Sequence, residues 1–362
     1  MQTDKNKKIE EIMKRKEEHI KICLDKPVQA KQVSTLFECM HFINNSLPEF
    51  DMNEVDLSSK FLGHNFSAPL MIGAMTGGAE LAKKINGNLA KAAEKLGLGV
   101  AVGSQRAGLY DKRLADTYSI TRKNAPTAFI GANIGGAQLS KGFTVKEAQQ
   151  LVDMLDADAL YIHLNPVQEV VQPEGEPRYK NVLKNIGQIA SGIDKPVVVK
   201  EVGFGISGEV AAKLEKAGVS AIEVAGMGGT SYSAVEYYRA LDFKINVKAQ
   251  MGNLFWDWGI PTAASLHMVR NAVKIPVVAS GGIRNGEEMA KAIAMGADLC
   301  AAAWPFLRPA TISSEKVAEK LNELIAEIRA TMFITGCKNI EELKKSGYVI
   351  TGELKDWIHN KQ

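Results

Sequence analysis

Residues 276–304 read PVVASGGIRNGEEMAKAIAMGADLCAAAW, and this stretch decides the predicted fold class. Its first run, PVVASGG (276–282), is short, apolar and rich in β-branched residues, which is typical of a buried strand. GEEMAKAIAMGA (286–297) carries apolar residues at three- and four-residue spacing and predicts an amphipathic helix. DLCAAAW (298–304) is a second short apolar run. Together these segments predict a strand, a crossover helix and a neighbouring parallel strand.

The same pattern repeats along the chain from residue 69 onward. The six preceding apolar runs are PLMIGAM (69–75), GLGVAVGS (97–104), AFIGANI (128–134), ALYIHL (159–164), PVVVKEV (196–202) and AIEVAG (221–226). Amphipathic stretches such as ELAKKINGNLAKAAEKLG and TVKEAQQLVDMLDA lie between them. Eight such repeats, spanning close to the roughly 250 residues typical of the fold, predict a TIM (β/α)₈ barrel. A doubly wound open sheet is the alternative, but MTGG follows the first predicted strand where that fold would usually show G-x-G-x-x-G.

The predicted organisation has three parts and no linker that would separate two domains. Residues 1–68 form an N-terminal helical extension that packs on the barrel, and residues 69–331 form the barrel itself. Residues 332–362 form a C-terminal helical tail. The fold class is therefore α/β.

The composition limits the possible partners and compartments. The chain has 46% hydrophobic residues, and its 44 Lys and Arg against 41 Asp and Glu give a net charge of +3, too small for a nucleic-acid-binding surface. Four cysteines without C-x-x-C spacing predict neither a zinc site nor a disulfide framework. Apolar runs fall short of the roughly 18 to 20 residues of a membrane helix, and the N-terminus is too charged for a signal peptide. We therefore expect a cytoplasmic protein with no membrane partner.

Polar residues follow nearly every predicted strand. In this fold the active site lies at the carboxyl ends of the strands, so these residues are the candidate site. They are Met75 to Gly78, Ser104-Gln105-Arg106, Asn133, His163 to Glu169, Lys200-Glu201, Gly228 to Ser231, Ser280 to Arg284, and Ala302-Ala303. A polar ring contributed by so many strands predicts a ligand larger than a small acid or amine.

GGIRNGEE (281–288), after the seventh predicted strand, predicts a phosphate site. Its two glycines let the backbone approach an anion, and the following helix directs its N-terminal N–H groups toward that anion. Gly228-Gly229-Thr230 can supply further donors from the sixth strand. A tight turn whose glycines serve only backbone geometry is the alternative, but Arg284 within the loop favours an anion.

Lys200 ends an otherwise apolar strand, so its ammonium is predicted to be partly desolvated at the barrel mouth. There it pairs with a bound anion, forms a Schiff base, or is simply neutralised by the adjacent Glu201. HLNPVQE (163–169) concentrates hydrogen-bonding groups in one loop, although His163 alone also fits a near-core histidine. At the N-terminus, Arg15-Lys16 interrupt a helical apolar pattern, which by default indicates a solvated helix face.

Taken together, the motifs resemble one family, the flavin-dependent type 2 isopentenyl-diphosphate Delta-isomerases. The resemblance covers essentially the whole chain. It rests on RKEEHI (15–20), MTGG (75–78), SQR (104–106), NIGG (133–136), HLNPVQE (163–169), QPEG (172–175), VKEVGFGIS (199–207), GGTS (228–231), DWGIPT (257–262) and SGGIR (280–284). HLNPVQE followed by QPEG is the most specific of these, because many phosphate-binding barrels share GGIR.

The resemblance implies an isomerase that interconverts isopentenyl and dimethylallyl diphosphate by a 1,3-allylic proton shift, with reduced FMN as acid and base, Mg²⁺ on the diphosphate and NADPH as reductant. The implied FMN-binding residues are Ala74, Met75, Thr76, Ser104, Asn133, Lys200, Thr230, Gly282, Ile283, Arg284, Ala303 and Trp304. The implied substrate-binding residues are Arg15, Lys16, Ser104, Gln105, Arg106 and Gln168. Gln168, Lys200 and His163 are the implied catalytic residues, and Glu169 the metal ligand. Trp304 departs from the family pattern, where a smaller apolar residue is more familiar. A homo-oligomer, tetrameric or octameric, is also implied.

The chemistry of the residues agrees with this implication. A 1,3-proton shift needs one proton delivered and another removed two carbons away, yet the sequence shows no obvious acid and base pair. Reduced flavin can fill that role while the protein orients it and tunes its charge. In this interpretation Lys200 stabilises the anionic reduced flavin at its N1–C2 carbonyl edge.

Three other functions are alternatives to this interpretation of the sequence. An FMN oxidoreductase of the 2-hydroxyacid oxidase or dihydroorotate type would share the barrel and phosphate loop, but a hydroxyacid oxidase should show a catalytic His followed closely by Arg after its late strands, where this chain reads WDWGIPTAASLHMVR (256–270). An IMP dehydrogenase-like enzyme should carry a nucleophilic Cys, which AGMGGTSYSA (225–234) lacks. A non-catalytic phosphate-ligand sensor is the third.

Overall fold

The computed structural model describes residues 2–359, and a closed barrel of eight parallel strands forms its centre. We number the barrel strands β1 to β8. They are β1 (Leu70–Ile72), β2 (Gly99–Ala101), β3 (Ile130–Gly135), β4 (Ala159–His163), β5 (Val197–Lys200), β6 (Ala221–Glu223), β7 (Val277–Ala279) and β8 (Leu299–Ala302). Each strand overlaps one of the eight apolar runs, and β8 pairs back onto β1 to close the barrel. The predicted (β/α)₈ fold is confirmed.

Helices surround the barrel in the order that the repeats predict. Between β1 and β8 they are Glu80–Leu96, Arg106–Tyr110, Asp116–Asn124, Gly136–Leu139, Val145–Leu155, Pro166–Val171, Val182–Gly192, Gly208–Lys216, Tyr232–Asp242, Asn246–Leu254, Thr262–Ala272 and Gly286–Ala294. Trp304–Ile312 and Ser314–Ile334 follow β8. Three 3₁₀ turns occupy Phe37–Cys39, Met52–Glu54 and Lys112–Leu114. None of the described helices has the length and apolar content needed to cross a bilayer.

Local sequence signals fix where several of these helices begin. The Asn285 side chain accepts a hydrogen bond from the Glu288 N–H at the start of Gly286–Ala294, and Ser207 and Ser231 cap the helices after β5 and β6 in the same way. Such side-chain acceptors satisfy backbone N–H groups that have no partner within the helix. These caps therefore mark the end of the βα loops after β5, β6 and β7.

The barrel interior changes from apolar to polar toward the carboxyl ends of its strands. Met71, Tyr161, Val198 and Val278 point inward and form one apolar cluster, while their chain neighbours face the helices. Because alternate residues of a strand share a face, Lys200 lies on the same inward face as Val198, two residues earlier. A polar layer therefore lies directly above the apolar core.

The N-terminal extension and the C-terminal tail also pack on the barrel. The extension begins with helix Gln2–Asp25, and its hairpin of strands Ser59–Phe61 and His64–Phe66 contributes aromatic rings to the apolar cluster of the barrel interior. The tail contains helices Ile340–Leu343 and Gly352–His359. It also contains a strand that the sequence analysis did not anticipate, Tyr348–Ile350, which pairs with Met40–Phe42 of the extension. The N-terminal extension and the C-terminal tail are thus joined by a two-stranded antiparallel sheet.

Candidate active site

One cavity opens at the carboxyl ends of the barrel strands, and the N-terminal helix covers part of it. All but one of the FMN-binding, substrate-binding, catalytic and metal-binding residues that the family resemblance implies line this cavity. They are Arg15, Lys16, Ala74, Met75, Thr76, Ser104, Arg106, Asn133, His163, Gln168, Glu169, Lys200, Thr230, Gly282, Ile283, Arg284, Ala303 and Trp304. Residues as far apart in the chain as Ala74 and Trp304 are brought together, because the carboxyl ends of all eight parallel strands meet at one face. The N-terminal helix adds Arg15 and Lys16 from outside the barrel.

Gln105 is the exception, and the structure does not bring its side chain to the cavity. The side chain is fully buried; its Nε2 donates to the Leu151 carbonyl oxygen at 2.9 Å and its Oε1 accepts from the Asn133 N–H at 2.8 Å. Both hydrogen bonds tie β3 to the neighbouring helix. Gln105 therefore supports the backbone around Asn133, whereas Ser104 and Arg106 on either side face the cavity.

The two glycine loops after β6 and β7 pack against each other at one side of the cavity. A Cβ atom on Gly229 would lie 2.4 Å from the Gly282 Cα, and Gly281 and Gly282 have φ angles of +99° and +73°, so side chains are excluded for both steric and backbone reasons. Helix Gly286–Ala294 begins just beyond. Gly281 and Gly282 line the cavity together with Arg284. The N-terminal N–H groups of the helix are instead engaged elsewhere, because the Gly286 N–H donates to Glu327 Oε2 at 2.6 Å and the Glu288 N–H donates to Asn285 Oδ1 at 2.8 Å.

Arg284 is held at this site by contacts that the sequence did not predict. Its guanidinium lies 4.8 Å from the centre of the Trp304 ring and donates to the Gln29 side chain. Gln29 in turn donates through Nε2 to Thr230 Oγ1 at 3.3 Å. Trp304 therefore supports the arginine by a cation–π contact. Its indole Nε1 also donates to the Cys23 carbonyl oxygen at 3.3 Å, which ties it to the N-terminal helix.

The opposite side of the cavity is a cluster of cationic side chains. Lys16 and Arg15 from the N-terminal helix and Arg106 after β2 all line it. Burial, together with the charges of Arg15 and Arg106, lowers the pKa of Lys16 to about 7. The three groups repel one another at close range, so a bound polyanion would relieve that repulsion.

His163 stands at the edge of this cluster as a neutral imidazole. Its Nδ1 lies 2.8 Å from Asn133 Oδ1. Burial, together with the charges of Lys200, Lys16 and Arg106, lowers the pKa of His163 to about 3. Because the ring is uncharged at neutral pH, it can take part in hydrogen bonding but contributes no positive charge to the anion site.

Buried ion pairs fix the N-terminal helix over its own barrel. His19 Nε2 lies 2.9 Å from Glu236 Oε1, and Arg239 bridges Glu236, Glu174 and Glu18 at 2.7 to 3.0 Å. Burial alone would raise the pKa of Glu236, but its interactions with His19, Arg239 and Gln168 lower it to about 2. The helix that carries Arg15 and Lys16 is therefore anchored by charge, and the default interpretation of a solvated helix face does not fit.

Lys200 pairs with a carboxylate that the sequence analysis missed. Its Nζ lies 3.3 Å from Glu223 Oε1 and also donates to the Glu201 carbonyl oxygen. The Glu201 carboxylate instead accepts hydrogen bonds from the backbone N–H groups of residues 202–204. Burial outweighs these hydrogen bonds and raises the pKa of Glu201 to about 7. Neutralisation of Lys200 by the adjacent side chain is therefore not what the structure shows.

A hydrogen-bond chain orients Gln168 and Glu169. Asn165 Nδ2 donates to Gln168 Oε1 at 3.0 Å and to Glu169 Oε1 at 3.3 Å. Asn165 is itself fixed twice by Tyr179, whose hydroxyl accepts from its backbone N–H at 2.8 Å and donates to its Oδ1 at 2.9 Å. Gln168 Nε2 continues the chain to Glu236 Oε1 at 3.0 Å. Gln168 and Glu169 therefore share Asn165 as a donor, but only Gln168 is also bonded to Glu236.

Of the residues that sequence reasoning missed, only one had a readable signal. Glu223 is an acid within the apolar run AIEVAG and at an inward position, which is unusual unless the charge is used. Glu236, Tyr179 and Gln29 lie in polar or amphipathic segments, where such residues are ordinary. Their roles depend on contacts between elements far apart in the chain.

Comparison with known proteins shows which families and structures this chain is similar to. A family model described as FMN-dependent dehydrogenase matches residues 137–350. Isopentenyl-diphosphate delta-isomerase of Methanosarcina mazei is 46% identical over 96% of this chain and 94% of its own length. The enzyme of the same name from Thermococcus onnurineus is 46% identical with the same coverage of both chains. Among solved structures, a flavocytochrome b2 variant with sulfite bound has a TM-score of 0.66 at 18% identity, covering 93% of this chain and 84% of its own, and indicates the same fold.

The cavity, its paired glycine loops and a family match over more than half of the chain define the class, an FMN-dependent (β/α)₈-barrel enzyme. The relatives narrow that class, because their 46% identity extends over nearly the whole chain. The chain belongs to the isopentenyl-diphosphate delta-isomerase family, which confirms the resemblance drawn from its motifs.

Proposed function

We propose that the protein interconverts isopentenyl and dimethylallyl diphosphate by a 1,3-allylic proton shift, with reduced FMN and Mg²⁺. The observation that carries the proposal is a single cavity lined by two glycine loops on one side and by a cluster of cationic side chains on the opposite side. The glycine loops follow β6 and β7, whereas Arg106 follows β2, four strands from β6 in the closed barrel. One side suits the phosphate of FMN and the other the diphosphate of the substrate.

The residues present fit FMN. Thr76 Oγ1 is buried without a hydrogen-bond partner among the described residues, as expected of a group that meets a ligand. The glycine loops with Thr230 and Arg284 would hold the phosphate, and the set completed by Ala74, Met75, Ser104, Asn133, Lys200, Ile283, Ala303 and Trp304 would surround the rest. Reduced FMN supplies a proton donor and acceptor next to the substrate. Lys200 offers a buried positive charge that favours the anionic reduced form.

The substrate end combines charge with orientation. Arg15, Lys16 and Arg106 offset the roughly three negative charges of a diphosphate. His163 and Ser104 line the same part of the cavity and offer hydrogen bonds without adding charge. Gln168, a neutral amide held by Asn165 and Glu236, would lie beside the hydrocarbon without trapping a carbocation-like state as a carboxylate would.

Glu169 fits a Mg²⁺ ion that arrives with the substrate. Among the described residues no group of three or more His, Cys, Asp or Glu side chains could hold a metal ion. Mg²⁺ often binds through one carboxylate together with substrate phosphates and waters, so a single acid at the cavity is compatible with it. Glu169 would offer that oxygen while the Glu176 N–H, 2.8 Å away, keeps the carboxylate in place.

The test compares the amount of dimethylallyl diphosphate formed with the amount of NADPH oxidised. Purified protein is loaded with FMN, reduced anaerobically with NADPH, and supplied with isopentenyl diphosphate and Mg²⁺. We expect many molecules of dimethylallyl diphosphate for each NADPH oxidised, because the shift involves no net redox change. A ratio that stays at one over many turnovers would show an oxidoreductase and refute the proposal.

The hydroxyacid oxidase alternative is weakened by the position of His267. It lies on helix Thr262–Ala272, where its Nε2 is 3.0 Å from Asn271 Nδ2, and it is absent from the cavity lining. Of the described histidines only His19 and His163 line the cavity, and both have lowered pKa values, chiefly through burial. A histidine followed closely by arginine, as that chemistry would need, is not available there.

A further inference from the structure

Glu223 is a buried carboxylate at the base of the cavity, and half of its hydrogen-bonding capacity is unused. It is 2% exposed and ends strand β6. Its Oε1 accepts from Ser280 Oγ at 2.8 Å and lies 3.3 Å from Lys200 Nζ. Its Oε2 is buried and has no hydrogen-bond partner among the described residues. Since buried polar groups are almost always paired, this oxygen points to a ligand.

The barrel register explains why this oxygen meets the cavity. Lys200 and Glu223 are directly paired on the neighbouring strands β5 and β6, so their side chains project to the same side of the sheet. Both line the cavity. Ser280, two residues beyond Val278 on the same inward face, supports Glu223 from the other neighbouring strand. The carboxylate is therefore fixed from both sides and has one oxygen to spare.

The simpler interpretation is that Glu223 serves only as a structural partner for Lys200, but this leaves one fact unexplained. One carboxylate oxygen would suffice for the ion pair, and the second would still be buried without a donor. Burial of an acid where Ser280 and Lys200 contact only one oxygen is unfavourable unless another group satisfies the remaining one. A ligand that brings an N–H or O–H group into the cavity would do so.

We propose that Glu223 is a binding residue of the flavin site, whose Oε2 accepts a hydrogen bond from an N–H or O–H group of FMN while Oε1 positions Lys200 and offsets its charge. This inference rests on the proposed function, because it needs FMN in this cavity. It gives Lys200 a defined electrostatic setting: the ammonium acts on the flavin with part of its charge already balanced.

The substitution Glu223→Gln removes one acceptor oxygen and one negative charge, and each loss has its own consequence. In Glu223→Gln the side chain has only one acceptor oxygen, so it cannot serve both Lys200 with Ser280 and the ligand. FMN should therefore bind more weakly. The uncompensated charge of Lys200 should at the same time favour the anionic reduced flavin over the oxidised form, so the midpoint potential should rise. A tenfold change in relative affinity of the two forms corresponds to about 30 mV for a two-electron couple.

The experiment measures both quantities on protein stripped of FMN and reloaded. Affinity for oxidised FMN is determined by titration of the apoprotein, and the potential by spectroelectrochemistry of the loaded protein. We expect Glu223→Gln to weaken FMN binding at least tenfold and to raise the potential. Asp158→Asn is the matched control, since Asp158 is a partly buried carboxylate next to Arg122 at the other end of the barrel. It should change neither quantity.

Glu223→Asp keeps the charge but withdraws both oxygens by one methylene. It should weaken FMN binding while the potential stays near that of the unmodified protein, and it decides the question if Glu223→Gln does not fold. Unchanged FMN affinity in whichever of these variants folds, with unmodified protein binding FMN normally, would overturn the inference. Failure of the unmodified protein to bind FMN would instead refute the proposed function.

Discussion

Single residues around the cavity owe their properties to burial and to neighbouring charges. Lys16 has a pKa lowered to about 7 by burial, Arg15 and Arg106, while His163 is neutral above about pH 3 for similar reasons. Lys16 therefore titrates in the neutral range, and His163 does not. The pH dependence of substrate binding should therefore follow the protonation of Lys16.

Lys16 provides a prediction about pH. Below pH 7 its ammonium is charged and attracts the diphosphate; above pH 7 the free enzyme loses this proton, so binding must take one up. We expect KM for isopentenyl diphosphate to rise as pH increases from 7 to 9. Lys16→Arg should flatten this rise, because a guanidinium stays charged. Lys14→Arg, on the exposed face of the same helix, is the control. Identical profiles in all three proteins would contradict the assignment.

Tyr179 provides a second prediction at this scale. Tyr179→Phe removes a hydroxyl that fixes Asn165, which in turn orients Gln168 and Glu169. Loss of such buried hydrogen bonds costs on the order of 1 to 3 kcal/mol, so we expect kcat to fall about tenfold or more. FMN content should not change. Tyr348→Phe on the tail strand should leave kcat as it is, and a Tyr179→Phe enzyme with full activity would show that Asn165 needs no such support.

At the scale of elements, short βα loops position most of the site. The loops after β6 and β7 meet through glycines, and the loop after β5 is held by the Glu201 carboxylate. The two glycine loops were predicted from the sequence motifs GGT and GGIR, because only glycine accepts the required backbone angles and contacts. The contact between these two loops was not predicted, since it depends on how β6 and β7 lie side by side.

Gly282 allows that contact to be tested. A Cβ on Gly282 would lie 2.7 Å from the Gly228 carbonyl carbon and 2.5 Å from Thr35 Cγ2, so Gly282→Ala should push the loops apart. We expect at least tenfold weaker FMN binding and a nearly colourless purified protein. Gly142→Ala is a matched control, because Gly142 has a similar φ of +85° but nothing within 4 Å of the added Cβ. Full FMN content in Gly282→Ala would argue against this phosphate site.

At the scale of the whole molecule, the N-terminal helix completes the site from outside the barrel. Its charged anchor, formed by His19, Glu236 and Arg239, is buried between this helix and helix Tyr232–Asp242. The cationic cluster thus combines residues 15 and 16 with residue 106. Substrate binding should accordingly depend on how this helix docks.

Arg239→Ala tests the docking. The change leaves Glu236 buried beside fewer positive charges, which costs about 3 to 5 kcal/mol when a buried pair is broken. We expect a lower Tm and a strongly raised KM for the diphosphate substrate, because Arg15 and Lys16 lose their support. FMN affinity should change less than KM, since the glycine loops pack against each other and against Thr35, not against this helix. Arg113→Ala, at an exposed ion pair, serves as the control. An unaltered KM with reduced Tm would limit Arg239 to a structural role.

The sequence by itself determined the barrel, the glycine loops after β6 and β7 and most residues that line the cavity. Strand alternation, helical spacing and glycine placement are local properties, and a parallel barrel gathers the carboxyl ends of its strands wherever they lie in the chain. Only the tertiary structure decided which charges meet. Lys200 pairs with Glu223 across the β5–β6 register, and the adjacent Glu201 caps a loop instead. Gln105 turns away between Ser104 and Arg106, because side-chain direction follows packing against residues far away in the sequence.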